Sequence, residues 1–159
     1  MLPKPSKEFT IREMGAADKP AIVELARSLT QFFPQDVVDL ISSSLNNRPV
    51  IVGVLDQTLV GFLVYAMRDS QTAEIVWMGV HEDYHGLGLG SLMLDTLEQQ
   101  LENDGIRKLV ASTLAYTVEY KPFEKVRTFY YNRGFTSLGI QNNYYDDGMD
   151  RLILVKEIY

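Results

Sequence analysis

The sequence predicts a mixed α/β protein of the α+β type, one sheet with helices on its faces. Two observations predict it. Some segments repeat apolar residues at helical spacing while others are short and β-rich. The strands also occur both as hairpin neighbours and as one strand–helix–strand crossover. At 159 residues and 46% hydrophobic content, the chain has the length of a single domain, read as 1–159, and such a domain buries roughly 70% of its unfolded surface.

The elements follow in order. Phe9-Thr10-Ile11-Arg12 alternates and reads as a first strand. Asp18 is placed to cap a helix whose first turn tolerates Pro20, with Ile22, Val23, Leu25, Ala26 and Leu29 as its apolar stripe. Past Pro34, Asp36 to Leu45 forms a second short helix through Val37, Leu40, Ile41 and Leu45. Val50 to Leu55 and Leu59 to Met67 flank Asp56-Gln57-Thr58 and read as a hairpin, followed by a strand from Ala73 to Val80. A glycine-rich loop from His85 to Gly90 enters an amphipathic helix through Leu94, Leu97 and Leu101, which Gly105 ends. Lys108 to Leu114 is a strand, Glu124 to Arg133 a helix stopped at Gly134, and Phe135 to Ile140 and Leu152 to Ile158 are the last strands, with a turn at Asp146-Asp147-Gly148.

Composition narrows the chemistry. With no cysteine, disulfides, thiolate metal sites and any cysteine nucleophile are excluded. The net charge of −6 and the lack of a Lys/Arg cluster argue against nucleic acid and favour a cationic or amine-bearing partner. Val50 to Leu55, the longest apolar run, is far short of the roughly 20 residues of a membrane helix. Met1 to Glu8 has no apolar leader core, so the expectation is a cytoplasmic protein without membrane contact.

The segment from Glu74 to Ser91 carries the most information. A strand runs into a loop with glycine at 86, 88 and 90 and then directly into a helix. Backbone N–H groups can converge there beside the positive end of the helix dipole, which suits a phosphate or pyrophosphate. Glycine permits close approach and positive φ. A tight turn with a capping glycine is the plain alternative, but it needs fewer glycines. A dinucleotide fingerprint would place Gly or Ala where Ser91 stands, and a Walker A loop would need a following Gly-Lys-Ser/Thr.

His85-Gly86-Leu87-Gly88-Leu89-Gly90 resembles the acetyl-CoA signature (Arg/Gln)-x-x-Gly-x-(Gly/Ala) of the GNAT superfamily of N-acetyltransferases, with His85 in place of the usual Arg or Gln. Phe129-Tyr130-Tyr131-Asn132-Arg133-Gly134-Phe135 is similar to that family's Tyr-x-x-x-Gly-Phe at the end of its fourth helix. The motifs lie about 40 residues apart with a strand between them, and the element order fits from Phe9 onward. An asparagine frequent in the family seven residues before the tyrosine is Phe123 here.

The resemblance implies an acyl-CoA N-acyltransferase fold, a central, mostly antiparallel sheet of about seven strands with four helices. It also implies direct transfer of an acetyl group from acetyl-CoA, the co-substrate, to a primary amine of a small molecule, with no metal. Tyr130 is the candidate proton donor to the leaving thiolate, set against a role as a core aromatic beside Phe129. Glu74 is the candidate base, because an acidic residue is out of place in a β-rich run and Glu-Ile-Val-aromatic resembles the base-bearing strand of histone-type members. Its plain alternative is an edge carboxylate facing water. Gly79 suggests a bulge or close backbone approach. By resemblance, Met78 and Val80 bind the pantetheine arm through their backbone, Gly86, Gly88, Leu89, Gly90 and Ser91 hold the pyrophosphate, and His85, at the signature's first position, is a further cofactor-binding candidate.

Tyr116, Tyr120, Tyr144, Tyr145, Asp146 and Asp147 form an aromatic and acidic cluster, from which Tyr144 and Asp146 are the candidate acceptor residues, by charge and cation–π attraction. Turn carboxylates and exposed tyrosines are the competing description. His81 and His85 lack an evident third metal ligand. Two other functions stay open: a non-catalytic acyl-CoA-binding or sensory module, and a protein lysine or N-terminal acetyltransferase. Acyl-chain preference and a homodimer are also left open.

Overall fold

Strand and helix follow each other as the periodicity predicts. In the computed structural model, which describes residues 8–158, the strands are β1 (Thr10–Glu13), β2 (Val50–Leu55), β3 (Thr58–Met67), β4 (Thr72–Val80), β5 (Lys108–Leu114), β6 (Thr136–Gln141) and β7 (Arg151–Glu157). The helices are α1 (Lys19–Ser28), α2 (Gln35–Ser44), α3 (Leu89–Asn103) and α4 (Pro122–Asn132), with 3-10 turns at Ala16–Asp18 and Glu82–Tyr84. Of the stretch read for a leader, Met1 to Glu8, all but Glu8 lies outside the described residues.

One seven-stranded sheet runs in the order β1-β2-β3-β4-β5-β7-β6. β1/β2, β2/β3, β5/β7 and β6/β7 are antiparallel, while β4/β5 is parallel. That parallel pair is the predicted crossover, with α3 as its connection. Two compact units divide the chain: residues up to Val64 with Met78–Thr96, and Tyr65–Trp77 with the residues from Leu97 onward. Each is described by itself.

In the first unit, Asp18 stands before α1 as predicted, but its carboxylate makes no bond to that helix. It accepts instead from the Gly15 N–H at 2.7 Å and from the Arg12 guanidinium at 2.7 Å. The Arg12 bond holds the Asp18 carboxyl below the usual carboxylate range. α1 buries Ile22, Leu25, Ala26 and Leu29, four of its five stripe residues. α2 is turned slightly from expectation: Val38, Ile41 and Leu45 face the core while Leu40 is exposed, because an inward stripe with i, i+3, i+7 spacing leaves position 40 on the outer side. The hairpin is tighter than predicted. Leu55 pairs with Thr58, so only Asp56 and Gln57 form the turn, at φ 48° and 68°, the two positive values of a type I′ turn.

Gly53 and Gly61 face each other across β2 and β3. A Cβ on Gly53 would lie 2.7 Å from Leu89, and one on Gly61 would lie 3.0 Å from Leu89 and 3.1 Å from Met93. The glycine pair is therefore a seat for the first turns of α3. At Gly79 the missing side chain makes room for Phe62 and Leu29, 2.8 and 3.0 Å from where a Cβ would be.

In the second unit, alternate residues of β5 and β7 go inward: Leu109, Ala111, Thr113, Leu152 and Leu154 are buried, while Val110, Ser112, Ile153 and Val155 are half-buried. α4 starts two residues before its predicted start, because Pro122 suits the first helical turn, where no N–H is needed. It ends in a Schellman cap. Gly134 takes φ 91°, its N–H donates to Tyr131 O, and the Phe135 N–H donates to Tyr130 O, both at 3.1 Å. The cap's apolar contact is Tyr130 against Phe135, with ring centres 5.1 Å apart. This cap accounts physically for Tyr-x-x-x-Gly-Phe.

Candidate active site

The glycine loop forms an open cradle. Gly86 and Gly88 adopt φ 77° and 87°, and a Cβ on either would meet nothing within 4 Å. These glycines serve backbone conformation, and the space before them is free for a ligand. Gly90 is different, since it lies inside α3 with no positive φ. The first bond of the helix runs from Leu92 N–H to Gly88 O at 3.0 Å. The N–H groups of Leu89, Gly90 and Ser91 thus belong to the open N-terminal turn, which draws anions. Leu89 meanwhile anchors the turn with a side chain only 1% exposed.

His85 acts within the loop. Its Nε2 lies 2.6 Å from the Val80 carbonyl, and its ring meets the edge of Phe32. The carbonyl of Val80, one of the backbone groups assigned to the pantetheine arm, is thus already held by His85. His81 Nδ1 accepts from the Asp83 N–H at 3.1 Å. Among the described residues, no group of three or more His, Cys, Asp or Glu is disposed to hold a metal ion, and no helix is long and apolar enough to cross a membrane.

Within the second unit, Glu74 is nearly enclosed and doubly paired. Arg68 holds its Oε2 through Nε and Nη2. Arg151 Nη2 reaches its Oε1 at 3.2 Å. The same Arg151 donates from Nη1 to Gln141 Oε1 at 2.9 Å and lies over the Tyr144 ring, 4.4 Å from its centre. No signal in the sequence pairs Glu74 with Arg151, 77 residues away. The registered pairing of β4 with β5 ends at Ile75↔Ala111, although β4 runs to Val80.

Tyr130 is 5% exposed, packed against Phe129 and Phe135. Burial pushes its phenol well above the usual range, so it stays protonated at neutral pH. On the same buried side of α4, Arg127 donates to the Leu114 carbonyl at 2.9 Å. Sequence reasoning passed over Arg127, Arg68 and Arg151, since isolated arginines read as surface residues.

In the aromatic and acidic cluster, the cation over Tyr144 is the protein's own Arg151. Asp147 accepts from the Met149 N–H, while Asp150 accepts from the Asn143 N–H and the Thr117 hydroxyl. Those bonds keep the Asp150 carboxyl below its usual range. Asp146, Tyr116 and Tyr144 are exposed.

The sheet with its parallel β4/β5 pair, the strand–loop–helix cradle and the capped Tyr-x-x-x-Gly-Phe helix end are the features of an acyl-CoA N-acyltransferase fold. Comparisons with known proteins agree. The sequence profile of the acetyltransferase (GNAT) family matches residues 20–135. An N-acetyltransferase of Methanocaldococcus jannaschii, "Uncharacterized N-acetyltransferase MJ1530", is 26% identical over 149 residues, 92% of this chain and 90% of that one. The crystal structure of a putative GNAT acetyltransferase from Desulfovibrio desulfuricans superposes with a TM-score of 0.85 at 19% identity, covering 96% of this chain and 100% of the other. A GNAT acetyltransferase from Elizabethkingia anophelis with acetyl-CoA bound gives 0.74 at 19% identity, covering 98% and 100%. The chain belongs to the acetyltransferase (GNAT) family and is, by class, an acetyl-CoA-dependent N-acetyltransferase.

Proposed function

We propose that the protein moves an acetyl group from acetyl-CoA directly to the primary amine of a small molecule. The observation that carries this reading is the open cradle of Gly86 and Gly88 at the N-terminus of α3. Acetyl-CoA supplies an activated thioester; everything else falls to the chain. The N–H groups of Leu89, Gly90 and Ser91 bind the pyrophosphate, with Gly86 and Gly88 shaping the approach. Met78 and Val80 hold the pantetheine arm by backbone atoms, with His85 bracing Val80 O. Side-chain replacement at Met78 then matters little.

Glu74 takes one proton from the acceptor ammonium and passes it to solvent. The amine nitrogen bonds to the thioester carbonyl carbon, the C–S bond breaks, and the nitrogen sheds a second proton. Tyr130 gives its phenolic proton to the departing thiolate and is reprotonated, so the products are an acetamide, CoA thiol and one released proton. Because burial holds the Tyr130 proton more tightly, donation has to be concerted with C–S cleavage. Tyr144 and Asp146 border the acceptor.

A panel of small amines and peptides with acetyl-CoA, scored by release of CoA thiol, tests the function. Turnover with a small amine is the expected result. Turnover with peptides alone would instead support a protein acetyltransferase, for which exposed Tyr116 and Tyr144 offer docking aromatics. Tight CoA binding without release under any condition would support a binding module.

A further inference from the structure

Net charge favours a cationic acceptor, yet the charge beside Glu74 has the opposite sign. Two guanidiniums share one carboxylate, which leaves one positive charge in excess. Arg151 is spent inside the protein on Glu74, Gln141 and Tyr144, and its side chain is 16% exposed. Arg68 is not spent. It meets Glu74 along one edge, through Nε and Nη2, and its side chain is 48% exposed. The end-on edge, Nη1 with the second hydrogen of Nη2, is a fork that matches a carboxylate.

In the turn after β3 and in the β6–β7 loop, Asp69, Asp147 and Asp150 are directed to neutral donors and not onto the two guanidiniums. Asp69 accepts from the Gln71 N–H at 2.8 Å and Asp147 from the Met149 N–H, each within its own turn, while Asp150 accepts from the Asn143 N–H in its own loop and from the Thr117 hydroxyl in the loop after β5. Asp146 is exposed, where salt screens it.

We propose that Arg68 is a specificity-determining residue and that the acceptor is a small amine carrying a carboxylate, as amino acids do; the proposal rests on the acetyltransferase reading above. The acceptor carboxylate binds the end-on fork of Arg68. It competes with Glu74 for the same guanidinium, loosens the contacts to Oε2, and leaves that oxygen to receive the ammonium proton. A plain alkylamine brings no anion, leaves Arg68 on Glu74 and adds a second positive charge beside the first.

The test compares kcat/KM for amino acids with kcat/KM for their carboxamides, corrected for the ionisation of each amine. In the native protein the carboxylate member should be preferred at least about tenfold, since an analogue lacking the charged group leaves the fork unpaired. Arg68→Gln should erase the preference, and Arg68→Lys, which keeps charge but not the fork, should restore only part of it. Calorimetric binding of an N-acetyl amino acid against its amide, with CoA present, should show the same preference without turnover, and thermal unfolding verifies that each variant is folded. Equal use of both members by the native protein, or a preference that survives in Arg68→Gln, overturns the proposal. Acetylation of alkylamines but not amino acids overturns it while leaving the acetyltransferase reading intact. No thiol release with any amine or peptide overturns both.

Discussion

The glycine cradle and the Glu74 cluster are built by opposite means. In the cradle the groups open to a ligand are backbone N–H atoms, and side chains matter chiefly by their absence at Gly86, Gly88, Gly53 and Gly61. In the Glu74 cluster the backbone only sets the stage, while Arg68, Glu74, Arg151, Gln141 and Tyr144 hold one another by charge, hydrogen bond and ring contact. The cradle should thus fail when a Cβ is added and ignore changes of charge. The cluster should behave in the reverse way.

The largest expected effect is on the cradle. The double variant Gly86→Ala, Gly88→Ala forces two L residues into positive φ at about 1–2 kcal/mol each, so acetyl-CoA affinity measured by calorimetry should fall on the order of a hundredfold. Unchanged affinity would mean that the loop does not hold the phosphates. Next comes the buried phenol of α4: Tyr130→Phe should lower kcat at least about tenfold with little change in acetyl-CoA affinity. An unaltered kcat assigns the leaving-group proton elsewhere.

On the cluster side, Glu74→Gln leaves two guanidiniums facing a neutral amide. Urea unfolding should show a loss of about 1–2 kcal/mol, discounted for the exposure of Arg68, together with a depressed rate near neutral pH. Full stability and rate would show that the carboxylate neither braces the arginines nor takes the proton.

Alkaline pH separates Tyr130 from both regions. Its folded pKa is raised by burial, so its contribution to stability is complete below the unfolded value of about 10 and is lost as pH rises beyond it. Native protein should therefore lose more stability above pH about 10 than Tyr130→Phe does. Parallel losses would mean that the phenol ionises as easily folded as unfolded. The smallest effect is expected at the β2–β3 turn, where Gln57→Gly relieves a positive φ of 68° and should raise stability by about 0.5–1 kcal/mol in thermal unfolding.

The two regions were also unequally legible. Gly86-Leu87-Gly88 could be read directly, because backbone conformation is encoded locally by glycine and the helix follows at once. Tyr130 and Gly134 were readable as a motif for the same reason, and the Schellman cap shows that the six consecutive residues from Tyr130 to Phe135 suffice to build it. Glu74 stood out in its strand, but its partners did not. Arg68 meets it across the turn between β3 and β4, whereas Arg151 reaches it only because β7 inserts between β5 and β6. The seat for Leu89 escaped notice too, since Gly53 and Gly61 have a purpose only once α3 lies against them. At Gly79, read as a bulge or close backbone approach, the structure adds that the rings and methyls of Phe62 and Leu29 fill the place of a side chain.

From sequence alone follow the order of seven strands and four helices, the cradle and the capped helix end, all of them consequences of hydrophobic period and of the φ values open to glycine. Tertiary structure alone decided the sign of the charge around Glu74. A chain with a net charge of −6 carries a local positive excess at its candidate base, because ion pairing depends on which side chains meet in space, and strand order sets those meetings at separations that no local pattern records.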